Sequence, residues 1–126
     1  MKLKHFNLSL GTQIMKAFSE ESRIRIMHLL FRNKELCISD IELILDFTQT
    51  KTSRHLIYLK NAGLVTSRKV DQWTFYSIKE GVLGFIEVLF NYLEKDPMLV
   101  QDQSIFETLY NNRELALCKL EARKWR

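Results

Sequence analysis

A chain of 126 residues is one small domain, large enough to bury a core of its own. Hydrophobic residues make up 46% and charged residues 27%, with four glycines and one proline, which excludes a disordered or collagenous chain and favours helix. The net charge of +4 is modest, yet residues 48–79 carry Lys51, Arg54, Lys60, Arg68, Lys69 and Lys79 against Asp71 alone, the electrostatic footprint expected of a nucleic-acid binder.

The opening MKLKHFNLSLGTQ lacks the apolar run of a signal peptide, and a first helix is expected over residues 8–18. Ser19-Glu20-Glu21 then reads as a capping serine followed by two acids at the positive end of a second helix, whose stripe is Ile24, Met27, Leu30 and Phe31. Ser39 and Glu42 have the S-x-x-E spacing of a capping box and open a short third helix through Ile41, Leu43, Ile44 and Leu45. The link Asp46-Phe47-Thr48 is short, as a helix-turn-helix requires.

Residues 48–65 carry the fourth helix. Thr48 is a good N-cap, and Gly63 stands where a C-cap glycine belongs. Thr52, Leu56 and Leu59 recur at helical spacing and share an inward face. Thr50, Arg54 and Asn61 lie about half a turn away, with Gln49 and Ser53 near the helix entry. A helix that packs on one side and offers Gln, Thr, Ser and Arg on the other is built like a major-groove reader. The run at residues 66–78 follows with the strand formers Trp73, Phe75, Tyr76 and Ile78, and a turn at Val70-Asp71-Gln72. It reads as a β-hairpin with Arg68 and Lys69 on its first arm, the wing of a winged helix lying along phosphate.

A fifth helix over residues 82–93 is apolar almost all round and ends at Asp96-Pro97. One small domain covers one face of such a helix, so the surplus argues for a subunit interface. It is too short for a membrane span and contains Glu87. The stretch from residue 101 shows helical periodicity in Ile105, Phe106, Leu109, Leu115, Leu117, Leu120 and Trp125, with a weak point at Asn111-Asn112. Arg113, Lys119, Arg123, Lys124 and Arg126 gather toward its end, and a role in extending the dimer core is expected ahead of a basic tail on DNA.

Four pieces in this order and spacing resemble the ArsR/SmtB family of winged-helix repressors: A-x-S-x-x-S-R-I-R-I, E-L-C-I-S-D-I on the third helix, Q-T-K-T-S-R-H-L on the fourth, and N-A-G-L-V before a hairpin ending in W-x-F-Y. The resemblance covers residues 16–78. It implies a mainly α fold with a small β-hairpin, a dimeric winged helix-turn-helix, here with an extra C-terminal helix. It also implies dimerisation through the first and fifth helices, which puts Leu10, Ile14, Phe85, Leu89, Phe90 and Leu93 at the interface. On this reading residues 1–96 are the DNA-binding and dimerisation domain, and residues 97–126 a helical extension packed on the dimer core.

The expected function is a sequence-specific, homodimeric, cytoplasmic repressor binding a pseudo-palindromic operator in double-stranded DNA. The expected DNA-binding residues are Gln49, Thr50, Lys51, Ser53, Arg54, His55, Lys60, Arg68 and Lys69, with Arg54 on a guanine and Lys51, Lys60, Arg68 and Lys69 on phosphate. The family's thiolate site uses C-x-C in an ELCxCDL-like motif. Here Cys37 is present but Ser39 replaces the second cysteine, and one thiolate cannot hold a soft metal in a closed site. The family's other site needs a histidine that the fifth helix lacks, so no metal and no cofactor is expected. His5 and His28 are scattered, and Cys37 reads as a small buried hydrophobe rather than a redox thiol. Cys37 and Cys118 are too few for a disulfide framework and suggest a reducing compartment. No phosphate loop, nucleophile elbow or carboxylate–histidine cluster appears, so an enzyme is not expected. The rival is a protein-interaction module that keeps the winged helix without binding DNA, favoured by Val70 and Gln72 at a weakly basic wing tip.

Overall fold

The computed structural model describes residues 6–124; His5, Trp125 and Arg126 lie outside the described residues. The elements run α1 (Leu8–Ala17), α2 (Glu21–Asn33), β1 (Glu35–Cys37), α3 (Ile38–Leu45), α4 (Gln49–Asn61), β2 (Val65–Val70), β3 (Trp73–Ile78), a 3₁₀ turn (Glu80–Val82) leading into α5 (Leu83–Leu93), α6 (Pro97–Asn111) and α7 (Ala116–Lys124). No helix is long and apolar enough to cross a membrane among the described residues. The five expected helices and the hairpin are present in the expected order.

Four local readings change. First, Glu20 rather than Ser19 caps α2, and it makes no capping side-chain bond. The Ser19 hydroxyl instead donates to the Lys16 carbonyl at 2.6 Å. Arg23 joins the two helices: its guanidinium donates to the carbonyls of Ala17 and Lys16 at 2.9 and 3.2 Å and to Glu20 at 3.1 Å. It thereby satisfies α1 carbonyls that have no partner within the helix. Second, Glu35-Leu36-Cys37 is strand rather than helix. It pairs antiparallel with β3 in the register Glu35↔Ser77, Leu36↔Tyr76 and Cys37↔Phe75, giving a three-stranded sheet of order β1-β3-β2.

Third, α3 starts at Ile38, so its box is formed by Cys37 and Asp40 rather than Ser39 and Glu42, with the Cys37 amide donating to Asp40 Oδ2 at 3.4 Å. Asp40 is 2% exposed and also accepts from the backbone amides of Ala116 and Leu117 at 2.6 and 3.0 Å. One carboxylate thus caps two helices, α3 and α7. Burial pushes its pKa up, and the three amide bonds oppose that shift.

Fourth, the C-terminal extension is two helices. Asp96 caps α6 by accepting from the amides of Met98 and Leu99, with Pro97 in the first turn. The helix stops at the expected Asn111-Asn112, where Arg113 turns left-handed at φ 60° and the Glu114 amide reaches the Leu109 carbonyl. Both helices pack chiefly on α2, α3 and β1 of their own chain. Arg25 holds Asp102 bidentately at 2.9 and 3.0 Å, and the side-chain amides of Asn33 and Gln103 pair reciprocally at 2.8 and 2.9 Å. Leu99, Phe106, Leu115, Leu117 and Leu120 join the core that holds Leu29, Leu36, Ile41 and Leu56, so one core runs across residue 96.

The inward face of α5 is Ile86 and Phe90. Phe90 is 2% exposed and meets the rings of Phe18, His28 and Phe31 at centroid distances of 6.2, 5.3 and 5.5 Å. Ile14 is 1% exposed. Both residues, expected at a dimer interface, are core of the monomer. A one-faced stripe cannot be read from a helix that is apolar all round, and the packing against α2 decides it.

Asp40→Ala leaves the first amides of α7 unbonded inside the protein, a loss of about 2–4 kcal/mol. Urea unfolding followed by circular dichroism should show a lower midpoint for Asp40→Ala, with Asp40→Asn between it and the wild type. An unchanged midpoint for Asp40→Ala would remove the double cap from the account of stability.

Candidate nucleic-acid interface

The turn into α4 is fixed by its own residues. Asp46 closes α3 in the left-handed region at φ 57°, and the Thr48 hydroxyl accepts from the Lys51 amide at 3.1 Å. The far end closes at Gly63, φ 81°, where the Leu64 amide bonds the Leu59 carbonyl and the Gly63 amide bonds that of Lys60. This is a Schellman pair, formed at the C-cap glycine that the sequence marks. Between the caps, Thr52, Leu56 and Leu59 are fully buried. Packing of that face leaves the opposite one in solvent.

On the solvent face, Gln49, Thr50, Ser53, Arg54 and Ile57 line one shallow depression. Four of these are expected site residues, and the structure brings them together. Ile57 was not anticipated, although it is 52% exposed. Its signal was an isoleucine standing off the Thr52-Leu56-Leu59 stripe. Such a side chain suits the thymine methyl in a major groove. Lys51 is half-buried, with Nζ 4.0 Å from the centroid of the Phe47 ring.

His55 is a correction. It is 4% exposed, with Nε2 3.2 Å from Glu20 Oε1, so its ring faces the start of α2 and not the outward face of α4. Burial lowers its pKa, and Glu20 partly offsets this. Residue 55 follows residue 52 by three, so it lies on the packed side by helical geometry.

The wing is β2 and β3, in register from Val65↔Ile78 to Val70↔Trp73. Val70 stays paired, so the turn is Asp71-Gln72 alone, with Asp71 at φ 55° as its residue type allows. Lys60 ties the end of α4 to the wing by donating to Ser67 Oγ at 2.8 Å. Arg68 is exposed but occupied: Glu35 accepts from its Nε and its terminal nitrogen at 2.6 and 2.9 Å, which raises the arginine pKa further. Lys69 is exposed and forms no ion pair among the described residues. The expected wing cations therefore divide into one compensated and one open. Sequence could not show this, because Glu35 is remote in the chain and sits on a strand that was read as helix.

Cys37 is buried, and the Ser39 hydroxyl donates to its sulfur at 3.3 Å. The Cys118 thiol is half-buried and donates to the Tyr110 carbonyl at 3.5 Å. Among the described residues no three His, Cys, Asp or Glu side chains gather as a metal would need.

The face of α5 opposite Phe90 exposes Phe85, Val88 and Tyr92, and Leu8 and Met15 of α1 are exposed as well. Leu10, Leu89 and Leu93 are half-buried. Of the six expected interface residues, Phe85 alone is exposed in the monomer.

Comparison with known proteins matches residues 20–67 to the bacterial regulatory proteins of the arsR family. The cadmium resistance transcriptional regulatory protein CadC of Listeria innocua is 36% identical over 95 residues, covering 75% of this chain and 80% of that protein. The arsenical resistance operon repressor of Escherichia coli is 39% identical over 69 residues, or 55% of this chain and 59% of that protein. Among solved structures, HlyU from Vibrio cholerae superposes with a TM-score of 0.64 at 31% identity, covering 70% of this chain and 96% of that one. A homodimeric winged helix-turn-helix DNA-binding domain from Mycobacterium bovis gives a TM-score of 0.64 at 25% identity, covering 70% of this chain and 82% of that one.

Glu35→Gln should release the Arg68 guanidinium. Binding to mixed-sequence duplex should tighten, and the plot of log affinity against log salt should steepen by up to about 0.9 for one added phosphate contact. Identical affinity and slope in the variant would mean that Arg68 does not reach phosphate.

Proposed function

Because this chain belongs to the arsR family of bacterial regulatory proteins, we propose that it is a cytoplasmic, homodimeric repressor that binds a pseudo-palindromic operator in double-stranded DNA. The observation that carries the reading is the two-sided α4: Thr52, Leu56 and Leu59 buried, with Gln49, Thr50, Ser53, Arg54 and Ile57 gathered on the side away from the core. In the major groove, Arg54 is suited to guanine, Gln49 to adenine and Ile57 to thymine methyl, with Thr50 and Ser53 able to bond base or phosphate. Lys51, Lys60 and Lys69 bind phosphate, joined by Arg68 when it leaves Glu35.

The dimer forms through α1 and α5, with Leu8, Met15, Phe85, Val88 and Tyr92 covered by the same face of a second copy. Their exposure, up to 87% at Tyr92, and the homodimeric relative support this. The two-fold then sets the α4 helices of the two copies into successive major grooves about one helical turn apart. Repression is occupancy of the promoter. No metal takes part, because Ser39 stands where the second thiolate of the C-x-C pair would be and α5 has no histidine. The interaction-module reading draws on Arg68 being paired and on Asp71 at the wing tip.

Selection from random duplex DNA should return a pseudo-palindrome. On that site Arg54→Ala should cost about 1–3 kcal/mol and relax one base position, while zinc or cadmium should leave affinity within a few-fold. Failure of the wild type to bind any duplex at low salt would give the case to the interaction module.

Val88→Glu should convert the dimer to a folded monomer, because a carboxylate would be buried without a partner at the interface. Sedimentation at micromolar concentration checks this, and a wild type that sediments as a monomer would sink the assembly.

A further inference from the structure

The C-terminal helix α7 reaches the wing, and neither the winged-helix reading nor the dimer accounts for it. Its first amides are fixed on Asp40 at the start of α3, and its body packs on β1 and α3. From that anchor the helix directs two cations at the hairpin. Lys119 Nζ stands 5.7 Å from the centroid of the Trp73 ring, within reach of a cation–π contact. One turn on, Arg123 forms an ion pair with Asp71, the left-handed residue of the turn. The wing is thus held at both ends: Lys60 of α4 bonds Ser67 on β2, and α7 holds the tip.

We propose that α7 is a brace that fixes the wing relative to α4, with Lys119 and Arg123 as positioning residues for DNA binding rather than DNA contacts. This rests on the DNA-binding reading above. The end of the hairpin, residues 69–74, runs past the last β1 pair at Cys37↔Phe75 and is only two-stranded, and such a segment is among the first parts of a fold to open locally. Ordering it on contact with DNA subtracts from affinity, so a wing already held binds more tightly with no additional contact.

The test is Arg123→Gln in the full chain, read by amide hydrogen exchange of residues 69–74 and by DNA affinity across a salt series. Loss of protection confined to the wing is expected, with α4 unchanged. Affinity should fall about two- to five-fold, the range an exposed ion pair contributes, at an unchanged salt slope. The charge swap Asp71→Lys with Arg123→Glu should restore both protection and affinity. Lys119→Gln should act in the same direction as Arg123→Gln. Unchanged wing protection in Arg123→Gln would overturn the brace whatever the DNA does. A slope that drops by about 0.9 would make Arg123 a phosphate contact and equally overturn it. If the wild type binds no duplex, the DNA-binding reading fails, and hydrogen exchange alone decides the brace.

Discussion

The carboxylate of Asp40 is the point on which the arrangement of this molecule turns. It lies inside the protein and accepts three backbone amides, from Cys37, Ala116 and Leu117. A buried carboxylate is costly unless its lone pairs are filled. Here they are filled by donors of two helix starts, whose partial positive charge also favours an anion. The consequence is geometric. β1 ends where α3 begins, so the bond that starts the helix-turn-helix also fixes the sheet edge. The same carboxylate places the first turn of α7 against both. Sheet, helix-turn-helix and C-terminal extension therefore share one fixed point rather than meeting as separate bodies.

What could be read in advance follows from the range over which each signal acts. The fourth helix was legible because its instructions are local: Thr48 at one end, Gly63 at the other and a packed stripe between them. The hairpin was legible for the same reason, with Asp71 supplying the turn. β1 was not, because three residues are too few to show alternation, and their strand character comes from pairing with Tyr76 and its neighbours about forty positions on. The α3 box was misplaced by two residues for the same cause: once Glu35-Leu36-Cys37 is strand, the helix must begin later. The start of α7 was invisible, since its cap is supplied by Asp40 from 76 positions away. Phe90 and Ile14 were legible as apolar but not as inward, because choosing a face on α5 takes the partners Phe18, His28 and Phe31.

Charge shows the gap between counting and placing most clearly. Residues 48–79 hold six basic side chains against one acid, which reads as a strong positive field. In the fold, Arg68 is held by Glu35, outside that segment, and Asp71 is compensated by Arg123, also outside it. Lys51 rests on the Phe47 ring, and Lys60 is bonded to Ser67. Arg54, Lys69 and Lys79 remain as exposed cations with no ion pair among the described residues. The two outside partners offset one another, Glu35 taking up one positive charge and Arg123 neutralising the one acid, so the segment keeps its net positive charge but loses it at Arg68 and gains it at the wing tip.

That redistribution bears on how such an interface divides affinity from specificity. Phosphate contacts raise binding to every sequence alike, whereas groove contacts separate one sequence from another. A wing whose arginine is engaged by Glu35 adds less of the first. A recognition helix bounded by caps at both ends and packed through Thr52, Leu56 and Leu59 offers the second from a rigid platform. Under the proposed function, α4 supplies the contacts that separate one sequence from another, while the wing, with Lys69 open and Arg68 engaged, supplies sequence-independent ones. The Arg68 guanidinium is half exposed while its Glu35 partner is more enclosed, so the pair stands at the solvent edge of the sheet, where an ion pair contributes little to stability. Under the proposed function, the wing's share of the affinity therefore depends on whether Arg68 stays with Glu35 or exchanges it for phosphate.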